Sequence, residues 1–568
     1  MRRVVRLASL VFVTSLILGT LSTRAAGSAP LRVSSGDVTQ TSAVLWAVTS
    51  VKGELEIVVV TDPSFAQDAS GTIQGQVAVV SGRVEEPTVP FKAKLADFSP
   101  NTRYYYRATD ASGATADGTF ITAAVVGEKT GLRFGASGDW RGDTAPYPAI
   151  QNADERELDF FILLGDTIYA DYPSPDVPAE QAKTIEEYRA KHNEVIAPLG
   201  GMNTWADVRA KTAVLATIDD HEVTNDFSGG AAPSTDTRFD QNGQFINETN
   251  LYKTGMQAFF EYMPIEATTY GQTGDPLTAG KPKLYRYMTY GSDAAVMILD
   301  ARSFRDAPLP ALTDFSPAKV AEYLAATYTP GRTMLGKVQL EDLKADLLRA
   351  QAAGITWKFV VVPEPIQNMG PLAASDRFEG YAAERVEILK HINENNIRNV
   401  VFISADIHGT LVNNIYYSET LGGERIETTA WEITTGSVAF DAPFGPTVVD
   451  LAAQLNLITP QQRAIFNLLP QSGKDSFMRQ LMDAQFEGFG LDLVGLAGSN
   501  VPAQLLSGDY LQVNTFGWTE FEIDAATQQL TVTTYGIPPY TAADAQQLVE
   551  VIVKRQPEII QQFTVDAR

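Results

Sequence analysis

The sequence predicts an α/β sandwich domain preceded by a small antiparallel β-sandwich. Three observations predict it: short β-rich runs fill the first part of the chain, apolar strand-like runs then alternate with helical patterns, and two β-rich runs close the sequence. Alternation of buried strands with helices is typical of α/β domains. A chain of 568 residues is also too long for one ordinary domain.

The first 29 residues have the pattern of a secretory signal peptide. Arg2, Arg3 and Arg6 precede an apolar run that ends near residue 18, and small residues follow. The apolar run is shorter than the ~20 residues that span a bilayer as a helix. We therefore expect a secreted or periplasmic protein with no transmembrane anchor after signal cleavage. An uncleaved anchor and export by the twin-arginine route are the alternatives.

Residues 30–125 are predicted to form the N-terminal β-sandwich, because short β-rich runs separated by turn signals are typical of this architecture. Residues 126–568 are predicted to form the second domain, with 440–505 as a helical insertion or cover. The β-sandwich strands are expected at 42–48, 54–60, 102–108 and 118–122. The strands of the second domain are expected at 132–137, 158–165, 212–218, 294–300, 357–363 and 399–405, its helices at 338–351 and 382–395, and its closing strands at 510–523 and 530–536.

The composition excludes several classes of function. With 44 Lys and Arg against 68 Asp and Glu, the formal net charge is −24. This charge repels polyanions, so we expect no nucleic-acid binding. The chain has no cysteine and four histidines. A metal site must therefore use mainly oxygen ligands, which favour hard ions such as Ca²⁺, Mg²⁺, Mn²⁺ or Fe³⁺.

Four of the six predicted central strands end in a cluster of acidic residues. The clusters are GASGDWRGD with Asp139, LLGDTIYAD with Asp166 and Tyr169, TIDDHEVTND with Asp219, Asp220, His221, Glu222 and Asn225, and SADIHG with Asp406 and His408. Ligands of α/β sheets bind at the carboxyl ends of strands. Taken singly, each cluster also fits a turn, a helix start or a core residue. Taken together, they predict a metal centre, with two ions more natural than one.

The succession GD-x-x-Y, DDHE and D-x-H resembles the PhoD-like alkaline phosphatase and phosphodiesterase family of the calcineurin-like metallophosphoesterases. Further segments carry the resemblance over most of the chain: SSGDVTQTSAVLWA, LADFSPNTRYYYRA, ILDARSFR, LGKVQLEDL, DRFEGYAAERVEIL and NVVFISADIHG. The resemblance implies an α/β metallophosphoesterase sandwich with an N-terminal antiparallel β-sandwich (fibronectin-like) domain.

One position departs from the family. The usual first strand ends in an iron-ligating cysteine, whereas Ser137 stands at the matching position here. The neighbouring GDW is similar to the first motif of purple acid phosphatases, in which the Asp is an iron ligand. The resemblance therefore implies that Asp139 replaces the cysteine.

The resemblance also implies roles for the remaining site residues. Asp166 is expected to bridge two metals, and Tyr169 and Asp139 to bind the more oxidised one. Asp220, Asp406 and His408 complete the centre, with Asn225 as a further ligand. The implied ions are Fe³⁺ and Ca²⁺, with Mn²⁺, Mg²⁺ or Zn²⁺ as alternatives. His221 stands where the superfamily has a proton donor to the leaving group.

Several residues beyond the acidic clusters are candidates for substrate contact. Arg302 and Arg305, in LDARSFR, follow a predicted strand. Arg302 is a candidate for binding substrate phosphate, and a surface ion pair is the equal alternative. Glu364 and Gln367, in PEPIQN, lie near another strand end and are weaker candidates.

These residues predict an exported metal-dependent phosphoesterase that attacks small phosphate monoesters or diesters with metal-activated hydroxide. A phospholipase D-type phosphodiesterase of the same family, acting on phospholipid, is one alternative. A non-catalytic calcium-binding surface protein is the other. His221 beside Asp220 favours an enzyme, because a structural calcium site does not need a proton donor.

Overall fold

The computed structural model describes residues 30–314, 316–371, 374–491 and 493–568, so the predicted signal peptide lies outside the described residues. The strands are β1 (Arg32–Gly36), β2 (Ala43–Val48), β3 (Gly53–Val60), β4 (Gln76–Val84), β5 (Phe91–Leu95), β6 (Arg103–Asp110), β7 (Thr115–Ile121), β8 (Leu132–Trp140), β9 (Phe160–Leu164), β10 (Ala213–Thr217), β11 (Thr268–Thr269), β12 (Pro282–Lys283), β13 (Arg286–Tyr290), β14 (Ala294–Ile298), β15 (Trp357–Val361), β16 (Val400–Ser404), β17 (Thr410–Tyr417), β18 (Ile426–Thr434), β19 (Ser437–Ala439), β20 (Ala503–Ser507), β21 (Leu511–Gln512), β22 (Phe516–Ile523), β23 (Leu530–Ile537) and β24 (Glu558–Val565).

The helices connect these strands. They are α1 (Ile185–Ile196), α2 (Thr204–Lys211), α3 (Asn250–Tyr262), α4 (Pro317–Thr327), α5 (Lys337–Ala352), α6 (Ala382–Glu394), α7 (Phe444–Gln454), α8 (Pro460–Leu468), α9 (Gln471–Gly488), α10 (Ala542–Gln547) and α11 (Val549–Ile552). No helix within the described ranges has the length and apolar character that crossing a bilayer requires.

Two mixed sheets form the central sandwich. In the first sheet, β8, β9 and β10 are parallel neighbours, and β22, β23, β24 and β20 continue from β8 as antiparallel strands. In the second sheet, β14, β15, β16 and β18 are parallel neighbours, flanked by β13 on one side and by β17 and β21 on the other. The predicted α/β sandwich is confirmed, and its parallel strands carry the acidic clusters at their carboxyl ends.

The core between the two sheets is aromatic. The ring of Phe134 on β8 stacks on Phe160 of β9 at 4.7 Å and on Phe521 of β22 at 4.8 Å between ring centroids. It also meets the edge of Phe359, on β15 of the second sheet, at 4.9 Å. These side chains are fully or almost fully buried. Offset and edge-to-face ring pairs contribute stability beyond their buried area, so this cluster fixes the two sheets against each other.

The N-terminal strands form two antiparallel layers, as predicted. One layer is β4-β3-β6-β7, and the other is β1-β2-β5. The second layer is not separate from the central sandwich, because β1 pairs in parallel with β10 at Gly36 and Val214. A Cβ at Gly36 would lie 2.5 Å from the carbonyl oxygen of Val214, so glycine permits this close approach. The boundary near residue 125 stays a prediction.

The stretch 440–505 contains α7, α8 and α9. The backbone N–H of Phe444, at the start of α7, donates to the carbonyl oxygen of His408 at 2.9 Å. The helical stretch is therefore attached to the loop that carries a predicted ligand. Its function as a cover stays a prediction.

Candidate metal centre

The carboxyl ends of the parallel strands of both sheets lie at the same edge of the sandwich. Asp139 is the second-last residue of β8, Asp166 follows β9, and Asp406 and His408 follow β16. All four have positive φ angles between 50° and 63°. Left-handed backbone at non-glycine residues costs free energy and concentrates at functional sites. The shared strained conformation therefore marks these strand ends as a candidate site.

The first ligand group consists of Asp139, Asp166 and His408, whose ligand atoms lie within 4.8 Å of one another. The Nε2 atom of His408 lies 3.2 Å from Oδ1 of Asp139 and 3.4 Å from the hydroxyl of Tyr169. Asp139 is fully buried, and apart from this contact with His408 neither of its carboxylate oxygens meets a hydrogen-bond donor among the described residues. A buried carboxylate with so few donors is strongly unfavourable unless a cation neutralises it.

The second ligand group consists of Asp166, Asp220 and His221, again with ligand atoms within 4.8 Å. Asp166 therefore belongs to both groups. Burial raises the pKa of Asp166 well above its usual range, and the nearby carboxylates of Asp220, Asp219, Glu222 and Asp139 raise it further. So many carboxylates do not ionise together at neutral pH without cations between them.

The donor set fits a pair of hard metal ions. Asp139, Asp166, Tyr169 and His408 offer anionic oxygen and one imidazole, and Asp220 adds a second carboxylate beside Asp166. Such donors suit ferric iron, calcium, magnesium or manganese. Asp166 is the residue that the first and second ligand groups share.

Two further acidic groups extend this arrangement. One contains Asp220, Asp226 and Asp376, and the other contains Glu364, Asp376 and Asp406. Asp406 therefore lies with Glu364 and Asp376 and not in the group of His408, although the two follow the same strand. Burial raises the pKa of Asp406 well above its usual range, and the charges of Asp219 and Asp376 add to this effect.

Arg302 lies among these carboxylates and is completely buried. Its Nε donates to Oδ1 of Asp219 at 2.6 Å, and Nη1 and Nη2 donate to the two oxygens of Asp376 at 2.9 Å each. Nη2 also contacts Glu364 closely and lies 3.5 Å from Asp220. Arg302 is thus neither a surface ion pair nor open to solvent, and its nitrogens are occupied by carboxylates in this structure.

Arg305 is a second buried cation beside Arg302. Its Nη1 donates to Glu364 at 3.0 Å and its Nη2 to Asp376 at 2.5 Å. Burial alone would raise the pKa of Asp376, but Arg302 and Arg305 together lower it below its usual range. Asp376 therefore stays ionised between the two guanidinium groups.

Glu222 fixes the relative position of two ligand loops. Its carboxylate accepts hydrogen bonds from the backbone N–H groups of Asp166 at 3.2 Å, Thr167 at 2.6 Å and Asp219 at 2.8 Å, and from the Thr167 hydroxyl at 2.6 Å. Glu222 is fully buried. One side chain thus ties the loop after β9 to the loop after β10.

His221 is oriented by Asp171. Its Nδ1 lies 2.6 Å from Oδ1 of Asp171, and its Nε2 lies 3.9 Å from Oδ1 of Asp220. Burial lowers the pKa of His221, but Asp220 and Asp171 outweigh burial and raise it to about 9. The other oxygen of Asp171 accepts the backbone N–H of Asn225 at 2.7 Å. Asn225 itself is exposed.

Ser137 is part of strand β8 and is fully buried. Its hydroxyl lies 3.0 Å from the carbonyl oxygens of both Gly436 and Gly517, so backbone acceptors occupy it. Ser137 therefore has a structural role in this arrangement, and the carboxylate of the first ligand group two residues later is Asp139.

Aromatic rings border the site next to His408. The ring of Phe440, which follows β19, lies 4.2 Å from that of His408 and 4.8 Å from that of Tyr169. Tyr172 lies 5.7 Å from Phe440, and the Arg141 guanidinium lies 5.0 Å from the Tyr172 ring centre. Strand β19 pairs with β8, which brings Phe440 to the ligand residues.

The structure thus brings Asp139, Asp166, Tyr169, Asp220, His221 and His408 together. Glu364 and Asp406 join a neighbouring acidic group. Gln367 is buried, and its backbone N–H donates to Glu432 at 2.6 Å. The sequence patterns did not indicate Asp376, Asp226 or Asp171 as site residues. Asp376 stands in the segment DRFEGYAAERVEIL, which had contributed only to the family resemblance.

Comparison with known proteins identifies relatives. The sequence pattern of the PhoD-like phosphatase family matches residues 135–469. Alkaline phosphatase D of Bacillus subtilis (strain 168) is 25% identical over 371 residues, which cover 60% of this chain and 58% of the relative's length. A solved structure of PhoD superposes with a TM-score of 0.63 and 18% identity, over 94% of this chain and 89% of that one. A purple acid phosphatase from yellow lupin (Lupinus luteus) seeds covers 95% of this chain and 74% of its own, with 10% identity and a TM-score of 0.47.

The family match spans more than half of the chain and includes every predicted site residue. The chain belongs to the PhoD-like phosphatase family.

Proposed function

We propose that this protein is an exported metal-dependent phosphoesterase that hydrolyses small phosphate monoesters, diesters or both. The observation that carries the proposal is the position of Asp166, which belongs to two ligand groups at the carboxyl ends of the parallel strands. A carboxylate shared in this way suits a pair of metal ions. Family membership supports the phosphoesterase reaction.

Asp139, Asp166, Tyr169 and His408 would hold one ion, and Asp166 and Asp220 the other. A bound metal pair supplies Lewis acidity and an activated water for in-line displacement at phosphorus. We assign Fe³⁺ to the first position, because its donors include a phenol and two carboxylates, and Ca²⁺ to the second. Asn225 and Asp406 remain further candidate ligands within this proposal.

His221 would hold the proton that the departing oxygen takes up. Asp171 fixes its Nδ1 at 2.6 Å, so Nε2 is the nitrogen left to face the ester. A positioned general acid contributes typically about 10²- to 10⁴-fold to the rate. A purely structural calcium site would not need a histidine held in this way by Asp171.

Arg302 would position the surrounding carboxylates and would not contact substrate. Its guanidinium nitrogens bind Asp219, Asp376 and Glu364, and its side chain is completely buried. Substrate contact falls instead to the border of the site. Phe440 and Tyr172 present aromatic faces there, and Arg141 lies beside them with its guanidinium paired to Asp143 and Asp441. With a net charge of −24, the chain does not attract anionic esters from a distance, so their capture would depend on the metal ions held in the site.

The test uses purified protein, elemental analysis and a substrate panel of an aryl phosphomonoester, an aryl phosphodiester and phosphatidylcholine. We expect two metal ions per chain, hydrolysis of the aryl esters, loss of activity after dialysis against EDTA and EGTA, and recovery with added divalent ion. Full activity in metal-free protein would contradict the metal mechanism. Hydrolysis of phosphatidylcholine alone would replace this proposal by a phospholipase D-type activity, and metal without any hydrolysis by a calcium-binding role.

A further inference from the structure

A second cavity, apart from the metal centre, has a volume of about 280 Å³. It is lined by residues of α4, α6 and β17 and by the segment after α9. None of its lining residues belongs to the four acidic groups of the metal centre. The cavity therefore needs an explanation of its own.

A buried guanidinium group with unused donors lines this cavity. Arg385, on α6, is only 6% exposed, and its Nε donates to the carbonyl oxygen of Ile366 at 2.6 Å. The charges of Glu379 and Glu432 act on it, but neither forms a hydrogen bond or ion pair with its Nη1 or Nη2 among the described residues. Buried charges in proteins are almost always paired.

Three other buried arginines in the described part of the chain have their guanidinium groups occupied by carboxylates or by an aromatic ring. Arg302 and Arg305 have carboxylate partners at every terminal nitrogen. Arg209 stacks over Trp46 at 4.2 Å and donates to the carbonyl oxygen of Tyr262. Arg385 has one backbone carbonyl contact, with neither a carboxylate nor a stacked ring on its terminal nitrogens among the described residues, and the space beside it is a cavity.

An unpartnered amide lies in the same wall. Gln367 is 2% exposed, and neither the oxygen nor the nitrogen of its side chain has a hydrogen-bond partner among the described residues. Its backbone is held in place, because its N–H donates to Glu432 at 2.6 Å. A buried amide without partners is unfavourable, and a ligand that bonds to it removes this cost.

Charge and shape define the ligand that fits. The charged side chains of the cavity walls are Arg385, Glu379 and Arg425, and Arg425 stacks over the ring of Tyr416 at 4.7 Å. Glu379 already accepts the backbone N–H of Met369 at 2.7 Å and pairs with Arg377. Phe489, which is 47% exposed, also lines the cavity. The volume is just below the usual range for drug-sized ligands, so the ligand is compact, with about one ring.

We propose that this cavity binds a small organic anion, whose carboxylate or phosphate group pairs with Arg385 and bonds to Gln367, and whose apolar body packs on Phe489. The guanidinium group offers two parallel donors to such an anion. This site is independent of the proposed hydrolytic function.

Calorimetric titration of the full-length protein tests the proposal with benzoate, phenylphosphonate, inorganic phosphate and the neutral analogue benzamide. We expect benzoate or phenylphosphonate to bind and benzamide not to bind. Arg385→Met should weaken that binding at least tenfold, whereas Arg398→Met, an exposed control just beyond α6, should leave it unchanged. Hydrolysis of an aryl phosphate should be the same in both variants, which separates this site from the metal centre.

Benzoate on one side and phenylphosphonate and inorganic phosphate on the other distinguish a carboxylate site from a phosphate site. Only binding that is lost in Arg385→Met counts, because the proposed metal centre would also take a phosphonate or phosphate. If Arg385→Met does not fold, Gln367→Glu decides, since its carboxylate would occupy the guanidinium and exclude the anion. The proposal is overturned if no anionic probe binds, if benzamide binds as well as benzoate, or if Gln367→Glu or folded Arg385→Met binds like the unmodified protein.

Discussion

Glu222 offers a sharp test of how the two ligand loops are held. Its carboxylate acts only as an acceptor and receives four hydrogen bonds, three from backbone N–H groups and one from a hydroxyl. In Glu222→Gln one carboxylate oxygen becomes an NH₂ group that faces donors. Two of the four bonds are then lost. Each hydrogen bond to a charged group contributes about 1.5–3 kcal/mol, so the lost bonds lower the free energy of unfolding by about 3–6 kcal/mol. The variant also no longer buries a charge, which offsets part of this loss.

The loops after β9 and β10 carry Asp166 and Asp220. If Glu222→Gln lets the two loops move apart, it should also weaken metal binding. Loss of a group that supports metal ligands typically costs about 10- to 100-fold in metal affinity. The assay is phosphatase activity against free divalent ion concentration in chelator buffers, together with the thermal midpoint. We expect a lower midpoint and a 10- to 100-fold higher ion requirement.

Glu384→Gln is the matched control. Glu384 is also buried, and it accepts the backbone N–H groups of Met334 and Leu335 at 3.0 Å each, away from the acidic groups. It should lower the thermal midpoint without changing the ion requirement. If Glu222→Gln behaves like Glu384→Gln in both measurements, the reasoning about the ligand loops is refuted.

Three further predictions concern single side chains of the site. His221→Ala should slow hydrolysis of alkyl phosphates by about 10²- to 10⁴-fold and of nitrophenyl phosphate much less, with metal content unchanged, because a poor leaving group depends most on a proton donor; equal slowing would argue for a ligand or structural role. Tyr169→Phe should remove a visible absorption band from protein produced with iron, since a phenolate on Fe³⁺ gives charge transfer; colourless, active, iron-free protein would rule out the iron assignment. Ser137→Ala should retain its metals and lose about 1–2 kcal/mol of stability, because the hydroxyl meets only backbone carbonyls; loss of iron in this variant would make Ser137 a ligand.

The sequence was sufficient to predict the sandwich and most of the acidic edge. Strands that are buried on both faces appear as continuous apolar runs, so the chain positions of Asp139, Asp166 and His408 at strand ends followed directly. The carboxyl ends of parallel strands meet at one edge, and the structure brings these three side chains together.

Other features depend on distant parts of the chain. Asp376 lies in a loop between β15 and α6, and no apolar run marks it as a strand end. Arg302 follows a strand as a substrate-binding arginine would, and only the tertiary structure shows that Asp219, Asp376 and Glu364 surround it. The parallel pairing of β1 with β10 joins residues far apart in sequence, which no local pattern encodes.

The central claim is that one carboxylate serves two metal ions in a phosphoesterase centre. Asp166→Ala tests it most directly, with the exposed Asp450→Ala as the control. Metal content by elemental analysis and hydrolysis of an aryl phosphate are measured on the same samples. The account predicts that Asp166→Ala loses both ions and all activity, while Asp450→Ala keeps both. Near-normal metal content and activity in Asp166→Ala would contradict it.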